Sequence, residues 1–324
     1  MGINKLPRVR VLIVTHMWPS ESRPEHGSFV RDQVEALRAL DGIDVEVAIF
    51  PPGAGSYLRA ARELGRSGRG RGFDVVHAHY GLSGWSALAV RGAPHVVTFH
   101  GTDLAHRWVG PLSRALLRLV DLPAAVSASL VRARARRTLG RRTIAVLPCG
   151  VDLDRFKRIE RAEARRRLGL DRERTYLLFP ADPARPAKRH DRAHALAARL
   201  PGELLVLRGI PPADVPLWVN AANAVLVTSD HEGFGLAALE ALACDVPVLS
   251  TPVGIAPLAL AGVDGALCAP FEEERWLAAL AGHAADPDPR VAGRTRAALF
   301  STERMASRVR AAYAEVVSAG QKRP

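Results

Sequence analysis

The chain has 324 residues, 48% apolar and 24% charged, with a net charge of +12 at pH 7. That length allows two domains of ordinary size with real cores, and the composition excludes collagen-like, disordered and low-complexity classes. No apolar run reaches membrane-spanning length, and aromatics, at 6%, do not interleave with the basic runs as nucleic-acid binding would require.

The first element is the strand VRVLIVT. Basic residues precede it, as in a signal peptide, but the apolar run is very short and no small-residue cleavage site follows. It reads as a first buried strand of a cytoplasmic protein. The loop after it, HMWPSESRPEHGSF, places Gly27 and Ser28 just before a helix. A glycine there lets a ligand approach the backbone and a helix start favours an anion, while ordinary turn and cap chemistry accounts for the same residues. In the helix FVRDQVEALRAL, Phe29, Val30, Val34 and Leu37 recur at helical spacing.

DVEVAIF, DVVHAH, HVVTF and TIAVLP continue as strands. His77 and His79 lie on one face of theirs and raise, with His100, a metal hypothesis that lacks a third ligand of fixed spacing. His100, Gly101, Thr102 and Asp103 follow HVVTF. A histidine at a strand's carboxyl end beside a glycine and an aspartate suits sugar or phosphate contacts, with a structural histidine bonded to backbone as the alternative. Charge is concentrated in this half: residues 1–150 hold 21 Lys and Arg against 11 Asp and Glu, +10 of the total +12. The excess sits in RELGRSGRGRG and VRARARRTLGRR, which read as solvated surface or as a face attracted to anionic lipid.

Pro148 and Gly150 close this half, and a charged helix opens the next. YLLFPA, ELLVLRG, NAVLVTS and VPVLST are the later strands. Continuous rather than alternating apolar strands mean parallel sheets covered on both faces. The α/β chain is therefore expected to form two Rossmann-like doubly wound domains facing across a cleft. Their bounds are read as 1–152 and 153–300. The final segment, 301–324, carries Met305, Val309, Tyr313 and Val316 roughly on one helical face and is expected to dock back towards the N-terminal domain. Cys149, Cys244 and Cys268 are far apart in apolar surroundings, as reduced buried thiols are.

Ligands of open parallel sheets bind beyond the carboxyl ends of the strands. After YLLFPA, Arg185, Lys188 and Arg189 crowd the start of a helix, where cations clamp a diphosphate or simply solvate a loop. After NAVLVTS comes HEGFGLAALEALACDVPV. Its helix is apolar on every face, a pattern of full burial, yet carries Glu240. An ionised buried glutamate is costly without hydrogen-bond partners. With the helix starting near Gly235, Glu240 lies roughly 7–8 Å further along the axis. An anion at the helix start would then have Glu232 on one side and Glu240 on the other, the layout of a nucleotide sugar.

These residues carry a resemblance. The Gly27 loop, DVVHAHYG, TFHGTD, AVSASL, LPCGVDLDRF, VPLWVNAANAVLVTS and HEGFGLAALEALACDVPVLSTPVG, in this order, resemble family 4 glycosyltransferases of the GT-B fold over essentially the whole chain. The resemblance implies a retaining transfer from a nucleotide-diphosphate sugar, with UDP favoured and GDP second. It assigns Glu232 to the donor sugar, Glu240 to the ribose, the amides of Phe234, Gly235 and Leu236 to the donor, and His100 to the sugar. Lys188 and an arginine, Arg185 or Arg189, would stabilise charge on the leaving diphosphate. The acceptor, a glycan, lipid or small molecule, falls to the N-terminal half, with Asp103 as a contact. No acidic motif for a metal is evident, so no metal or other cofactor is expected. The sequence departs from the family where Ala184-Arg185 precedes Lys188 by few positions, and where Pro257-Leu258 replaces Pro-Glu. A nucleotide-sugar 2-epimerase, a non-catalytic nucleotide-sugar-binding protein and a nucleic-acid-binding protein are the rival readings.

Overall fold

The computed structural model describes residues 8–67, 72–131 and 144–321. The chain divides into two compact units: residues 1–21, 26–149 and 302–324, and residues 22–25 and 150–301. Apolar, β-branched runs build a parallel sheet in each. The first unit contains β1 (Val9–Thr15), β2 (Ile43–Ile49), β3 (Val75–His79), β4 (His95–Phe99), β5 (Leu122–Ala125) and β6 (Ala145–Val146). They are ordered β2-β1-β3-β4-β5-β6 and every pairing is parallel. All five residues of β3 are buried, as expected of a strand covered on both faces.

One covering is the helix Ser28–Arg38, which buries Val30, Val34 and Leu37 against Val11 and Ile13 of β1. On that same face the last helix, Thr302–Gln321, adds Met305, Val309, Tyr313 and Val316 to the cluster, while the other face carries the helix Gly81–Ala87, whose Gly84 packs on Val97 of β4. Each such side chain, fully buried, contributes on the order of 1.5–3 kcal/mol. The chain therefore leaves the first unit after Cys149, builds the second, and returns to finish the first.

The second unit contains β7 (Tyr176–Phe179), β8 (Glu203–Val206), β9 (Ala224–Val227), β10 (Val248–Ser250) and β11 (Leu267–Cys268), ordered β11-β10-β9-β7-β8 and parallel throughout. Its two chain ends meet: Val151 bridges Ser301, and its N–H donates to the Phe300 carbonyl at 2.9 Å. The charged helix Arg161–Leu168 is less solvated than its composition suggests. Arg161 and Arg165 are both 2% exposed, and their guanidinium groups donate to the carbonyls of Ala222 and Ala221. Burial pushes Arg161 down to about 9.

Two strands escape the sequence reading. β5 reads Leu-Pro-Ala-Ala, with a proline and small residues in place of a β-branched run. β11 is two residues long. Of the basic runs, residues 62–67 end the helix Ala54–Ser67. Residues 68–71 and 132–143, which hold most of the excess charge, lie outside the described residues. All three cysteines are free thiols, and Cys268 is only partly buried. Among the described residues no helix is long and apolar enough to cross a membrane.

Candidate functional site

Each sheet reverses its strand order once. In the second unit the reversal lies at β7, with β8 on one side and β9 on the other. A crevice at the carboxyl ends of the strands opens at such a switch point. A pocket lies there, lined by Phe179, Ala181, Val227, Ser229, Lys188 and Glu232 among others. Lys188 closes the 3₁₀ turn Pro186–Lys188, and Arg189, in a left-handed conformation at φ 54°, starts the helix His190–Ala198. That conformation is costly for a side chain larger than glycine. Neighbours fix it: the Thr228 hydroxyl lies 3.0 and 2.9 Å from the carbonyl oxygens of Lys188 and Arg189, and the Asp230 amide donates to Ala187.

Lys188 Nζ donates to Glu232 Oε1 at 2.6 Å, and Ser229 Oγ donates to the same oxygen at 2.7 Å. The pair is partly buried, with side chains 18% and 12% exposed. An ammonium has three donors, so two remain for an anion. The two candidate arginines separate clearly. Arg189 is bound to Asp191 and Asp230, whereas Arg185 is exposed and its guanidinium has no partner among the described residues.

Gly235, at φ 88°, caps the helix Leu236–Ala243. The amides of Phe234 and Gly235 make no hydrogen bond among the described residues. Together with the first helical amides they form an anion-binding end. The loop before them is clamped from behind: the Ile255 amide donates to the Phe234 carbonyl at 2.7 Å, and a Cβ on Gly254 would stand 2.1 Å from that oxygen. The expectation of a helix buried all round is corrected here. Leu236, Ala237 and Glu240 form a half-open side while Ala238, Leu239, Ala241 and Leu242 are buried. Glu240 is thus a half-exposed carboxylate beside the pocket, and its desolvation cost is smaller than the sequence suggested.

In the first unit the strand order reverses at β1, which separates β2 from β3. His100, after β4, is partly exposed, and its Nε2 lies 3.1 Å from His79 Nδ1. Its ring also packs on Phe29, centroids 4.9 Å apart. Asp103 is 0% exposed and accepts from the amides of Gly81, His100 and Gly101. It orders the turn that carries His100, which corrects its reading as an acceptor contact. Burial pushes its carboxyl up to about 6, opposed by those backbone hydrogen bonds.

Gly27 is corrected similarly. The space its Cβ would fill is taken by the Met17 carbonyl group, 2.3 Å to carbon and 2.4 Å to oxygen. The close approach is the chain's own, so the glycine shapes the loop and only its amide end remains for a ligand.

The sequence reading passed over a cluster at this switch point. His16 follows β1, and its ring meets Tyr80 edge-on at 4.7 Å and Tyr57 at 5.6 Å. Its Nδ1 lies 3.1 Å from Ser83 Oγ. Burial and then His26 lower His16 to about 4, so it is neutral at pH 7. Tyr80 holds φ 82°, strain of the kind that collects at functional positions. The signal was present, since His16 and Tyr80 each stand one residue beyond a strand's carboxyl end.

His77 is no metal ligand in this arrangement. Its Nδ1 lies 2.7 Å from Tyr313 OH and its Nε2 2.8 Å from Thr98 Oγ1, so both nitrogens are engaged. Two Asp-x-Asp sequences, Asp152–Asp154 and Asp286–Asp288, stand against the reading that no acidic motif is present. Asp152 accepts from the amides of Asp154 and Arg155, and Asp288 pairs with Arg158, Arg161 and Arg290. Asp152 and Asp288 are thus engaged by the chain itself, while Asp154 is exposed.

Two α/β units, each with a parallel sheet and one switch point, are the architecture of the GT-B class. Residues 7–155 match the profile of Glycosyltransferase Family 4, and residues 185–298 that of Glycosyl transferases group 1. A D-inositol 3-phosphate glycosyltransferase of Mycolicibacterium paratuberculosis is 30% identical over 86% of this chain and 73% of its own. Another, from Thermobispora bispora, is 32% identical over 76% and 71%. The fold matches sucrose-phosphate synthase from Thermosynechococcus elongatus, with a TM-score of 0.80 at 21% identity, covering 96% of this chain and 100% of that one. It also matches Anabaena HepE in complex with UDP, with a TM-score of 0.67 at 15% identity over 96% and 100%. The chain belongs to the family 4, group 1 glycosyltransferases.

Proposed function

We propose that this glycosyltransferase moves a sugar from a nucleotide-diphosphate donor to an acceptor hydroxyl with retention of configuration. UDP-sugar is the favoured donor and GDP-sugar the second choice. The observation that supports it most is the anion cradle at the second switch point. There Lys188 is bound to Glu232 beside Gly235 and the unbonded amides of Phe234 and Gly235, with exposed Arg185 three residues before Lys188 and Glu240 further along the helix that Gly235 caps. Lys188, Arg185 and the helix amides stabilise charge on the leaving diphosphate, and such preorganised electrostatic stabilisation usually dominates catalysis. Glu232 orients the sugar hydroxyls, Glu240 takes the ribose, and His100 contacts the transferring sugar. The bond from the anomeric carbon to the phosphate oxygen breaks, and the bond to the acceptor oxygen forms on the same face. The acceptor's proton passes to the leaving phosphate oxygen, so no protein nucleophile is needed.

Acceptor recognition falls to the first unit, where His16, Tyr57 and Tyr80 offer ring faces and polar edges of the kind that hold sugars and cyclitols. The named relatives act on D-inositol 3-phosphate, and a phosphorylated polyol is a fitting first acceptor to assay. Thermal shift against nucleotides and nucleotide sugars tests the donor. A ligand at 100 times its Kd stabilises by about 2.7 kcal/mol, and no shift with any of them would sink the reading. Transfer needs no divalent metal on this reading. Activity lost to EDTA and restored by Mn²⁺ or Mg²⁺ would contradict it.

A lipid-linked acceptor is a second reading, with its own support. The helix Val109–Leu116 buries Gly110, Ser113 and Leu116 on one side. Beside it Trp108, Leu112 and Leu119 stand 68%, 51% and 55% exposed, separated by four and seven residues and so on one side of a helical turn. Residues 104–120 contain Arg107, Arg114 and Arg118 and no Asp or Glu. Apolar anchors beside arginines fit an anionic lipid surface.

A further inference from the structure

We infer that Gln33 and His79 are positioning residues that set the tautomer of His100. The inference rests on the reading of His100 as the sugar-contacting group. Gln33 is 7% exposed on the helix Ser28–Arg38, and His79, at the end of β3, is 1% exposed. Gln33 Nε2 lies 3.3 Å from His79 Nε2, and His79 Nδ1 lies 3.1 Å from His100 Nε2. An amide nitrogen only donates. With the Gln33 amide nitrogen turned to the ring, as placed here, His79 Nε2 accepts, which leaves the His79 proton on Nδ1. That Nδ1–H donates to His100 Nε2, so the one proton of neutral His100 sits on its Nδ1. This nitrogen makes no hydrogen bond among the described residues. The relay thus presents a fixed N–H donor to whatever binds beside His100.

The surroundings keep the relay uncharged at neutral pH. His79 faces His77 on its own strand, with ring centroids 4.5 Å apart, and His100 on the next. His77 is in turn bound to Tyr313 from the last helix, and His16 and Asp103 complete the ionisable groups around His100. Burial is the main cause that lowers all three histidines, to about 3 for His79. A second histidine is a better orienting group here than a carboxylate. It fixes the proton without adding a charge that would favour imidazolium at His100.

Nitrogen-15 NMR of the ring nitrogens of the unliganded full chain reads the tautomer directly and needs no substrate. The parent is expected to show His79 and His100 both protonated at Nδ1. His79→Phe, which keeps the ring volume, and Gln33→Leu should each give His100 as a mixture. An Nε2-protonated His100 in the parent, or an unchanged tautomer in both variants, overturns the proposal. The catalytic arm measures UDP release from UDP-glucose with water as acceptor, beside UDP affinity. His79→Phe and Gln33→Leu should lower kcat on the order of tenfold to a hundredfold with UDP affinity unchanged. His79→Gln, whose amide N–H replaces the lost donor, should recover most of the rate. If His100→Ala turns over like the parent, the role of His100 itself fails. If His100→Ala is impaired while His79→Phe and Gln33→Leu are not, the relay alone fails.

Discussion

At the scale of single residues, charge pairing decides what is available to a ligand. Arg189 has two carboxylate partners, Asp191 and Asp230, and releasing it to an anion means breaking both. Arg185 carries no such cost, since it is exposed and unpaired among the described residues. Arg185→Ala should therefore weaken UDP binding about tenfold to a hundredfold, the equivalent of a charged hydrogen bond worth roughly 1.5–3 kcal/mol. Arg189→Ala should change it by less than about threefold, within the small worth of an exposed ion pair. Calorimetry that found the reverse order would exchange the two roles. The glutamates separate in the same experiment. Glu240→Ala should weaken bare UDP by about tenfold or more through lost ribose hydrogen bonds. Glu232→Ala should leave bare UDP nearly unaffected and lower the transfer rate, because its partners are sugar hydroxyls. Equal behaviour of both variants and the parent would move the donor site elsewhere. Sequence alone named Arg185 and Arg189 without ranking them, because the ranking depends on Asp230, 41 residues from Arg189 and beyond β9.

At the scale of elements, the donor loop is only as well placed as the turn behind it. Gly254 sits at φ 55°, with Phe234 O 2.1 Å and Glu232 Cβ 3.1 Å from where a Cβ would stand. Gly254→Ala adds backbone strain and pushes the Phe234 carbonyl, so it should reduce UDP affinity and destabilise the second unit by about 1–3 kcal/mol. Parent-like affinity and melting would show that the 232–235 loop shifts without consequence. The exposed side of the helix Val109–Leu116 makes a separate forecast. The protein should co-sediment with phosphatidylglycerol vesicles and release as salt rises, with Leu112→Gln and Trp108→Ala weakening it. Equal binding to phosphatidylcholine, or none to either, would return that face to ordinary surface. Elements were also where the sequence was most legible. The strands through Val9–Thr15, Val75–His79 and Ala224–Val227 stand out because their apolar runs are unbroken. β5 was hidden because a strand lying between two others needs no β-branched run of its own, only small side chains that fit. The half-open side of the Leu236 helix was hidden because an apolar pattern reports what can be buried, not what is. His16 and Tyr80 were missed because their meeting depends on β1 and β3 being neighbours.

At the scale of the molecule, the first unit holds four histidines whose charged form the fold disfavours, two of them, His77 and His79, fully buried. His77, His79, His100 and His16 all have lowered pKa values, chiefly through burial. A histidine lowered in the fold contributes stability that is complete above its unfolded value and is lost as pH falls. Asp103, raised to about 6 by burial, acts in the opposite sense and favours the fold as pH drops through that value. Four groups oppose one, so unfolding of the first unit should take up protons as pH falls below the ordinary histidine range. Its melting temperature should fall steeply between about pH 6.5 and 4.5, and His79→Phe should remove about one proton from that slope. A flat profile in scanning calorimetry would mean that these rings are hydrated or already charged.

The path of the chain bears on synthesis as well. The second unit, residues 150–301, is synthesised before the last helix, and Val151 lies beside Ser301 to close it without that helix. The first unit has to wait. Until residues 302–321 emerge, Val11, Val30 and Val34 lack Met305, Val309 and Tyr313, and His77 lacks its phenol partner. The half made first is thus the half finished last, with apolar surface open to chaperones or to aggregation in the interval. A released chain ending at Ser301 should already capture nucleotide through its second unit while its first remains open to protease.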